Sequence, residues 1–359
     1  MTFNKTGRLI RRNFFINGAL LESVRSYKYL GFLLTPSVEI RSGLYDLRDR
    51  ALKAFMKLKS DLGYAFKQDI LTTLHLTDSL ISPILLYMSD FWGCLKMPKS
   101  NPIENIKMMI CKQILGVQKQ TTNIGVLLEL GETPLSLNAI KLAVKNWERI
   151  RLGNANKVLL ASYRESLEGS LTWISGIKNV LETNGMLCFF QNSYRNTPIA
   201  YKNLFQRLID QFHQNAFETI RKEDSKLRTY ALFKKNIGIE SYLVEIRNPE
   251  TRSAITKFRL SNHCLMIETG RYTNIPKESR FCPFCENLPE TESHFLIDCP
   301  TYKPLRDRLL KRTMQNVQYY TADQKMESLL TNIDLNTIEY IVNAFKLRIF
   351  LLQKYKRGW

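Results

Sequence analysis

The sequence of 359 residues lacks the short motifs that identify most catalytic sites. It has no phosphate-binding G-x-x-x-x-G-K-[ST] loop, no G-x-S-x-G nucleophile turn and no H-E-x-x-H helix. No two aspartates are adjacent, so the paired carboxylates with which polymerases hold two metal ions are missing. These absences argue against the common nucleotide hydrolases, serine hydrolases and metalloproteases.

Long hydrophobic runs are missing too. The most apolar window, 80–95, contains Ser82, Pro83 and Asp90 and is shorter than the ~20 residues that a spanning helix needs. No basic and apolar signal segment opens the sequence. We therefore expect a buried helix over 80–95, no membrane partner, and an intracellular protein of the nucleus or cytoplasm.

The charge balance is strongly basic. Lys and Arg number 52 against 33 Asp and Glu, which gives a net charge of +19. Hydrophobic residues make up 44% and aromatic residues 11%, enough for a sizeable core in two or three domains. A surplus of this size favours a polyanionic partner, either nucleic acid or an anionic membrane surface.

The cysteines indicate a metal site. Seven is an odd number, which argues against a complete disulfide framework and for a reducing compartment. Cys282, Cys285, His294 and Cys299 follow the spacing C-x2-C-x8-H-x4-C in a proline-rich stretch. Three thiolates and one imidazole complete a tetrahedral shell, so the spacing predicts structural Zn²⁺. The alternative is that these cysteines are simply buried small hydrophobes. His263 and Cys264 rank low as substitute ligands, because adjacent side chains on a strand point apart.

The residue pattern predicts a mainly α fold with a small β start. Asn17-Gly18 is a two-residue hairpin signal, and the run 27–34 adds a third short strand. From Gly43 onward the apolar residues recur at helical spacing. Helices are expected from 43, over 66–90, from Asn101, from Thr133, over 174–186, 198–222 and 250–260, and from Asp334.

Basic residues are grouped at both ends and before the Cys/His segment. Residues 1–12 and 341–359 contain no acidic residue. Guanidinium and ammonium groups neutralise phosphates, and the interleaved rings of Phe258 and Tyr272 could stack on unpaired bases. Any single charge is more typical of a solvated helix face, but the sum favours nucleic acid. The candidate contacts are Arg8, Arg11, Arg12, Arg252, Lys257, Arg259 and Arg271.

One stretch resembles a polymerase motif superficially. Tyr87-Met88-Ser89-Asp90 has the frame of a Tyr-x-Asp-Asp turn, but Ser stands at the first carboxylate position. It also lies within an apolar helical run. We interpret Asp90 as a helix residue and not as a magnesium ligand.

Several short stretches occur in an order known from one family. They are 1–8 (MTFNKTGR), 27–31 (YKYLG), 259–263 (RLSNH), 267–272 (IETGRY) and 294–300 (HFLIDCP). In this order they resemble the C-terminal part of LINE-type (non-LTR) retrotransposon reverse transcriptases, from the strand after the catalytic turn to a CCHC zinc motif. The spacer of eight between Cys285 and His294 is longer than the four of retroviral zinc knuckles.

The resemblance implies a layout for the whole chain. It consists of the end of the palm (1–36), a helical thumb (37–190), a helical connector (191–270), a zinc-knuckle-like module (271–303) and a closing helical segment (304–359). Lys53 and Lys57 of the thumb would follow the backbone of a template–primer duplex, and the zinc module would hold RNA or target DNA.

The family makes DNA on an RNA template, but the catalytic aspartates, the fingers and most of the palm have no counterpart here. We expect a nucleic-acid-binding fragment that is inactive alone, with Met1 an internal methionine of a truncated copy. The alternatives are an independent zinc-containing nucleic-acid-binding or adaptor protein derived from such an element, and a nonfunctional remnant.

Overall fold

A computed structural model describes residues 3, 12–37, 39–97, 100–153, 155–168, 173–191, 197–286, 288–331 and 333–356. The fold is mainly α-helical with a small β part near the N-terminus, as the sequence predicts. None of the helices in these ranges combines the length and the apolarity that crossing a membrane requires.

Two antiparallel hairpins form the β part. The strands are β1 (Phe15–Ile16), β2 (Ala19–Leu20), β3 (Tyr27–Tyr29) and β4 (Phe32–Leu34). The Asn17-Gly18 turn is confirmed, with φ values of 51° and 80°. The prediction of one strand over 27–34 is wrong: Leu30 and Gly31 adopt positive φ and turn the run back on itself. Glycine tolerates positive φ, and Arg50 donates a hydrogen bond to the Gly31 carbonyl at 2.7 Å.

Helices make up most of the remaining chain. In its first part they are α1 (Arg41–Leu62), α2 (Ala65–Gln68), α3 (Ile70–Leu80), α4 (Ser82–Leu85), α5 (Ser89–Trp92), α6 (Pro102–Leu115), α7 (Asn123–Leu130), α8 (Leu135–Arg151), α9 (Lys157–Glu168), α10 (Trp173–Thr183) and α11 (Leu187–Gln191). In its second part they are α12 (Thr197–Arg221), α13 (Tyr230–Phe233), α14 (Ser241–Glu245), α15 (Pro249–Arg259), α16 (Met266–Tyr272), α17 (Lys303–Leu309), α18 (Lys311–Asn316), α19 (Ala322–Thr331) and α20 (Leu335–Lys356).

Some predicted helix starts are confirmed and others are not. The Asn101 side chain accepts the Ile103 N–H at 3.0 Å, as a cap should, and Asp334 caps α20 by accepting the Thr337 N–H at 2.7 Å. Thr133 does not cap α8, because Pro134 occupies that position without a side-chain bond.

The single helix expected over 80–95 is absent. The chain forms α4 and α5 instead, separated by Met88 with φ of 56°. Pro83 lies in the first turn of α4, and the left-handed Met88 prevents α4 from running on into α5. Asp90 is an exposed residue of α5, which confirms that it is a helix residue.

Contacts divide the chain into two compact units. The first comprises Met1–Gly63, Thr72–Ile110 and Thr133–Phe212, and the second comprises Tyr64–Leu71, Cys111–Glu132 and His213–Trp359.

The first unit has a core of aliphatic and aromatic side chains. On α1 the predicted apolar face is buried at Leu44, Leu47, Ala51 and Phe55. Gly43 is needed there, since a Cβ would lie 2.2 Å from the Phe32 ring. A second cluster contains Val144, Trp147, Ile177, Leu181, Met186, Phe189, Leu204 and Leu208.

Candidate metal centre

A tight loop of the second unit presents the first two cysteines. The Cys282 N–H donates to the Leu288 carbonyl at 2.9 Å, and the Glu290 N–H donates to the Arg280 carbonyl at 2.8 Å. Within the loop, the Glu286 N–H returns to the Cys282 carbonyl at 2.9 Å. Two cysteines separated by two residues therefore lie on the same side of one turn.

A π-helical turn, His294–Asp298, presents the other two candidates. The Cys299 N–H donates to the His294 carbonyl at 2.7 Å. Donor and acceptor are five residues apart, which is the hydrogen-bond pattern of a π-helix. The spacing H-x4-C is thus the repeat of a π turn, and it brings both side chains to one side of that turn.

The four side chains converge. The Cys282 and Cys299 sulfurs are 3.9 Å apart, and the Cys285 sulfur is 3.3 Å from His294 Nε2. All four ligand atoms lie within 4.8 Å of one another. The edges of a tetrahedral zinc site are about 3.5–3.8 Å, so the cluster can hold a metal ion of that kind. The grouping predicted from the spacing is confirmed.

The donor set also fits a cation electrostatically. A hydrogen bond from the Cys282 thiol, helped by His294 and Thr301, lowers the pKa of Cys299. The same hydrogen bond, together with burial, raises the pKa of Cys282. A cation bound between the two sulfurs would lower the pKa of both thiols, so metal binding would favour the second thiolate.

Three of the four side chains are buried and Cys285 is half-buried, and hydrogen bonds join the segment that contains them to α17 and α20. Arg348 of α20 donates to both carboxylate oxygens of Glu290 at 2.7 Å, and Arg306 of α17 donates to the Cys299 carbonyl at 2.8 Å. The Phe295 ring lies 4.7 Å from Phe345 of α20, measured between centroids. The Cys/His segment is therefore part of the core of the second unit.

Two of the arginines that were predicted to contact nucleic acid are buried. Arg259 is 1% exposed and pairs with Glu129, Nε to Oε1 at 2.6 Å, and with Glu240. Arg252 is 3% exposed and donates to the Ile246 carbonyl at 2.7 Å. Neither guanidinium is at the surface, so the prediction that they contact nucleic acid is corrected. Glu129 lies 130 residues from Arg259, so the basic pattern around Arg259 gave no sign of this pairing.

The other predicted contacts lie nearer solvent. Lys53 and Lys57 are exposed on α1, where Lys57 pairs with Asp61 at 2.8 Å. Lys257 and Arg271 are half-buried, and Arg271 is 3.4 Å from Glu268. Arg12 is exposed, whereas Arg8 and Arg11 lie outside the described residues.

His263 takes part in a different cluster. Its Nε2 lies 3.1 Å from Glu292, which Arg228 also pairs with at 2.9 Å. His263 is therefore not a metal ligand, as its low rank in the sequence indicated. Within the described ranges, no other group of three or more Cys, His, Asp or Glu side chains lies close enough to hold a metal ion.

No known protein family, curated protein or solved structure matches this chain.

Proposed function

We propose that this chain is a nucleic-acid-binding part of a non-LTR retrotransposon reverse transcriptase, built around a structural zinc ion. The observation that carries the proposal is the Cys3His cluster in a basic chain, at the place along the sequence where the family resemblance puts its zinc motif. In this proposal the protein acts in the nucleus or cytoplasm, and its partners are RNA, a template–primer duplex or target DNA.

Zinc is the metal that the donor set supports best. Three thiolates with one imidazole in tetrahedral geometry are typical of structural zinc sites. When bound, zinc would cross-link the loop at Cys282 to the π turn at His294 and would leave no position for a substrate. Hydrogen bonds of Glu290 and Arg306 join this segment to α20 and α17.

Nucleic-acid binding is supported by the basic residues that remain at the surface, which include Lys53, Lys57 and Arg12. Arg252, Arg259 and Arg348 are buried. Because Arg259 and Arg348 pair with the buried Glu129 and Glu290, their burial removes acidic charge from the surface as well. Lysine and arginine side chains of this kind contact phosphates and not bases. The affinity for nucleic acid should therefore depend strongly on salt and weakly on the base sequence.

Filter binding of RNA and DNA to the full chain, repeated at several salt concentrations, tests the proposal. Replacing Lys53 and Lys57 with Gln should lower the affinity and reduce the slope of log K against log salt by roughly 0.7–0.9 for each phosphate that the protein no longer neutralises. Lys235→Gln is a matched control, because Lys235 is an exposed lysine of the second unit that pairs with a carboxylate as Lys57 does. No affinity for either nucleic acid at low salt would overturn the proposal.

The burial of Arg252 and Arg259 also favours a second candidate. Two of the four basic residues that were predicted as contacts before the cysteines are buried and stabilise the fold. This suits an independent zinc-containing adaptor that binds protein. The same assay separates the two, since an adaptor of this kind would retain zinc without binding nucleic acid.

A further inference from the structure

A cavity of about 590 Å³ lies within the second unit, at the N-terminal end of α15. Its walls come from Tyr64 and Lys67 around α2, from residues 114–116, and from the first turns of α15. Gly116, at φ of 67°, lets the end of α6 approach α15 directly. A Cβ there would lie 2.8 Å from the Ser253 hydroxyl, which donates to the Gly116 carbonyl at 2.8 Å.

Arg252 lines this cavity, but its guanidinium is bonded to backbone carbonyls of the cavity walls. Its guanidinium donates to the Ile246 carbonyl at 2.7 Å and to the Gln68 carbonyl at 3.2 Å. It also donates to the Lys67 carbonyl. Because Lys67 and Gln68 belong to α2, these bonds hold the backbone of α2 against α15 and so keep Tyr64 and Lys67 beside the cavity. Arg252 is a positioning residue.

The side chains that remain for a ligand are cationic and aromatic. Lys67 is exposed and Lys257 is half-buried, and Glu250 is the one carboxylate among the described residues that line the cavity. The Tyr64 residue is 73% exposed. An accessible ring beside ammonium groups is the combination that stacks an unpaired base and neutralises its phosphate.

We propose that this cavity binds a nucleotide of single-stranded nucleic acid, with its base on Tyr64 and its phosphate beside Lys67 and Lys257. The assignment rests on the proposed function and adds to it a site and a strand type. Duplex would be a poor ligand, because its bases are stacked on one another and cannot stack on a protein ring.

Fluorescence anisotropy with a labelled oligouridine and the full chain tests the assignment. Tyr64→Ala should weaken binding by roughly five- to 150-fold, which is the effect of losing one stacked base, whereas Tyr64→Phe should bind as the unaltered protein does. Lys67→Gln combined with Lys257→Gln should weaken binding and flatten its salt dependence. Tyr319→Ala and Lys311→Gln, exposed elsewhere in the second unit, are the matched controls.

The possible failures are distinguishable. If Tyr64→Ala binds as tightly as Tyr319→Ala, the cavity is not the site, although the proposed function survives. Competition by duplex or by uridine monophosphate as effective as that by oligouridine would contradict the assignment to a single strand. If the unaltered protein does not bind oligouridine, RNA or DNA at low salt, both proposals are wrong.

Discussion

At the residue scale, burial decides what each charged side chain of the second unit does. Glu129 is fully buried and accepts hydrogen bonds from Tyr230 at 2.7 Å, Tyr242 at 2.6 Å and Arg259. Burial alone would lower the pKa of Arg259, but Glu129 and the other nearby acidic groups raise it. Such a network is stable only while all its members are present, because a lone buried charge has no solvent to compensate it.

Removing one member of this network should destabilise the protein strongly. Arg259→Gln leaves Glu129 charged and without its cation, so we expect a loss of about 3–5 kcal/mol in the free energy of unfolding. Lys57→Gln, at an exposed ion pair, should change it by only ~0.3–0.5 kcal/mol. Urea unfolding followed by circular dichroism measures both. Equal effects of the two substitutions would show that Arg259 is not part of a buried network.

Glu292 should make the stability depend on acid pH. Burial would raise its pKa, but the hydrogen bond and charge of His263 and the charge of Arg228 lower it from 4.5 to about 2. A lowered folded-state pKa contributes stability above pH 4.5, and this contribution is lost as the pH falls towards 2. The difference in unfolding free energy between the unaltered protein and Glu292→Gln should therefore shrink over this range. A difference that stays constant with pH would contradict the assignment.

At the element scale, the sequence predicts the turns, caps and helix faces that a few neighbouring residues determine. Asn17-Gly18, the cap at Asn101 and the apolar face of α1 are local features, and each is confirmed. The Leu30-Gly31 turn was missed because the aromatic run around it reads as one continuous strand. The break at Met88 was missed because neither glycine nor proline lies next to it, and methionine is an ordinary helix residue.

The candidate site was predictable for the same reason. Its four ligands lie within eighteen residues, and a turn and a π turn fix their spacing locally. Its supports were not predictable, since Arg348 lies 58 residues from Glu290 and no local pattern joins them. The buried state of Arg259 depends on Glu129, which lies 130 residues away.

These supports predict that metal removal affects α20 as well as the Cys/His loop. Chelation should increase amide hydrogen exchange over 280–302, and then over 335–356, because Glu290 and Phe295 hold α20 in place. Helix α8 of the first unit serves as the internal reference. Exchange that rises in the loop alone would mean that α20 is held independently of the metal centre.

At the scale of the whole molecule, the function we propose for this chain is binding and not polymerisation. Asp90, in the stretch nearest to a catalytic turn, lies on α5, and the described strands β1–β4 contain no carboxylate. Two metal ions need carboxylates at a tight turn. The chain alone should therefore not extend a primer with magnesium and all four dNTPs. Extension that Asp90→Asn abolishes would show that α5 carries a metal site.

The metal content of the purified protein tests the central claim most directly. Mass spectrometry under native conditions should find one zinc ion for each chain, and Cys282→Ser combined with Cys285→Ser should remove it. Cys188→Ser, at an exposed cysteine outside the cluster, should leave the zinc content unchanged. A chain purified without zinc that takes up none when zinc is supplied, or one whose zinc survives the loss of Cys282 and Cys285, would contradict the account.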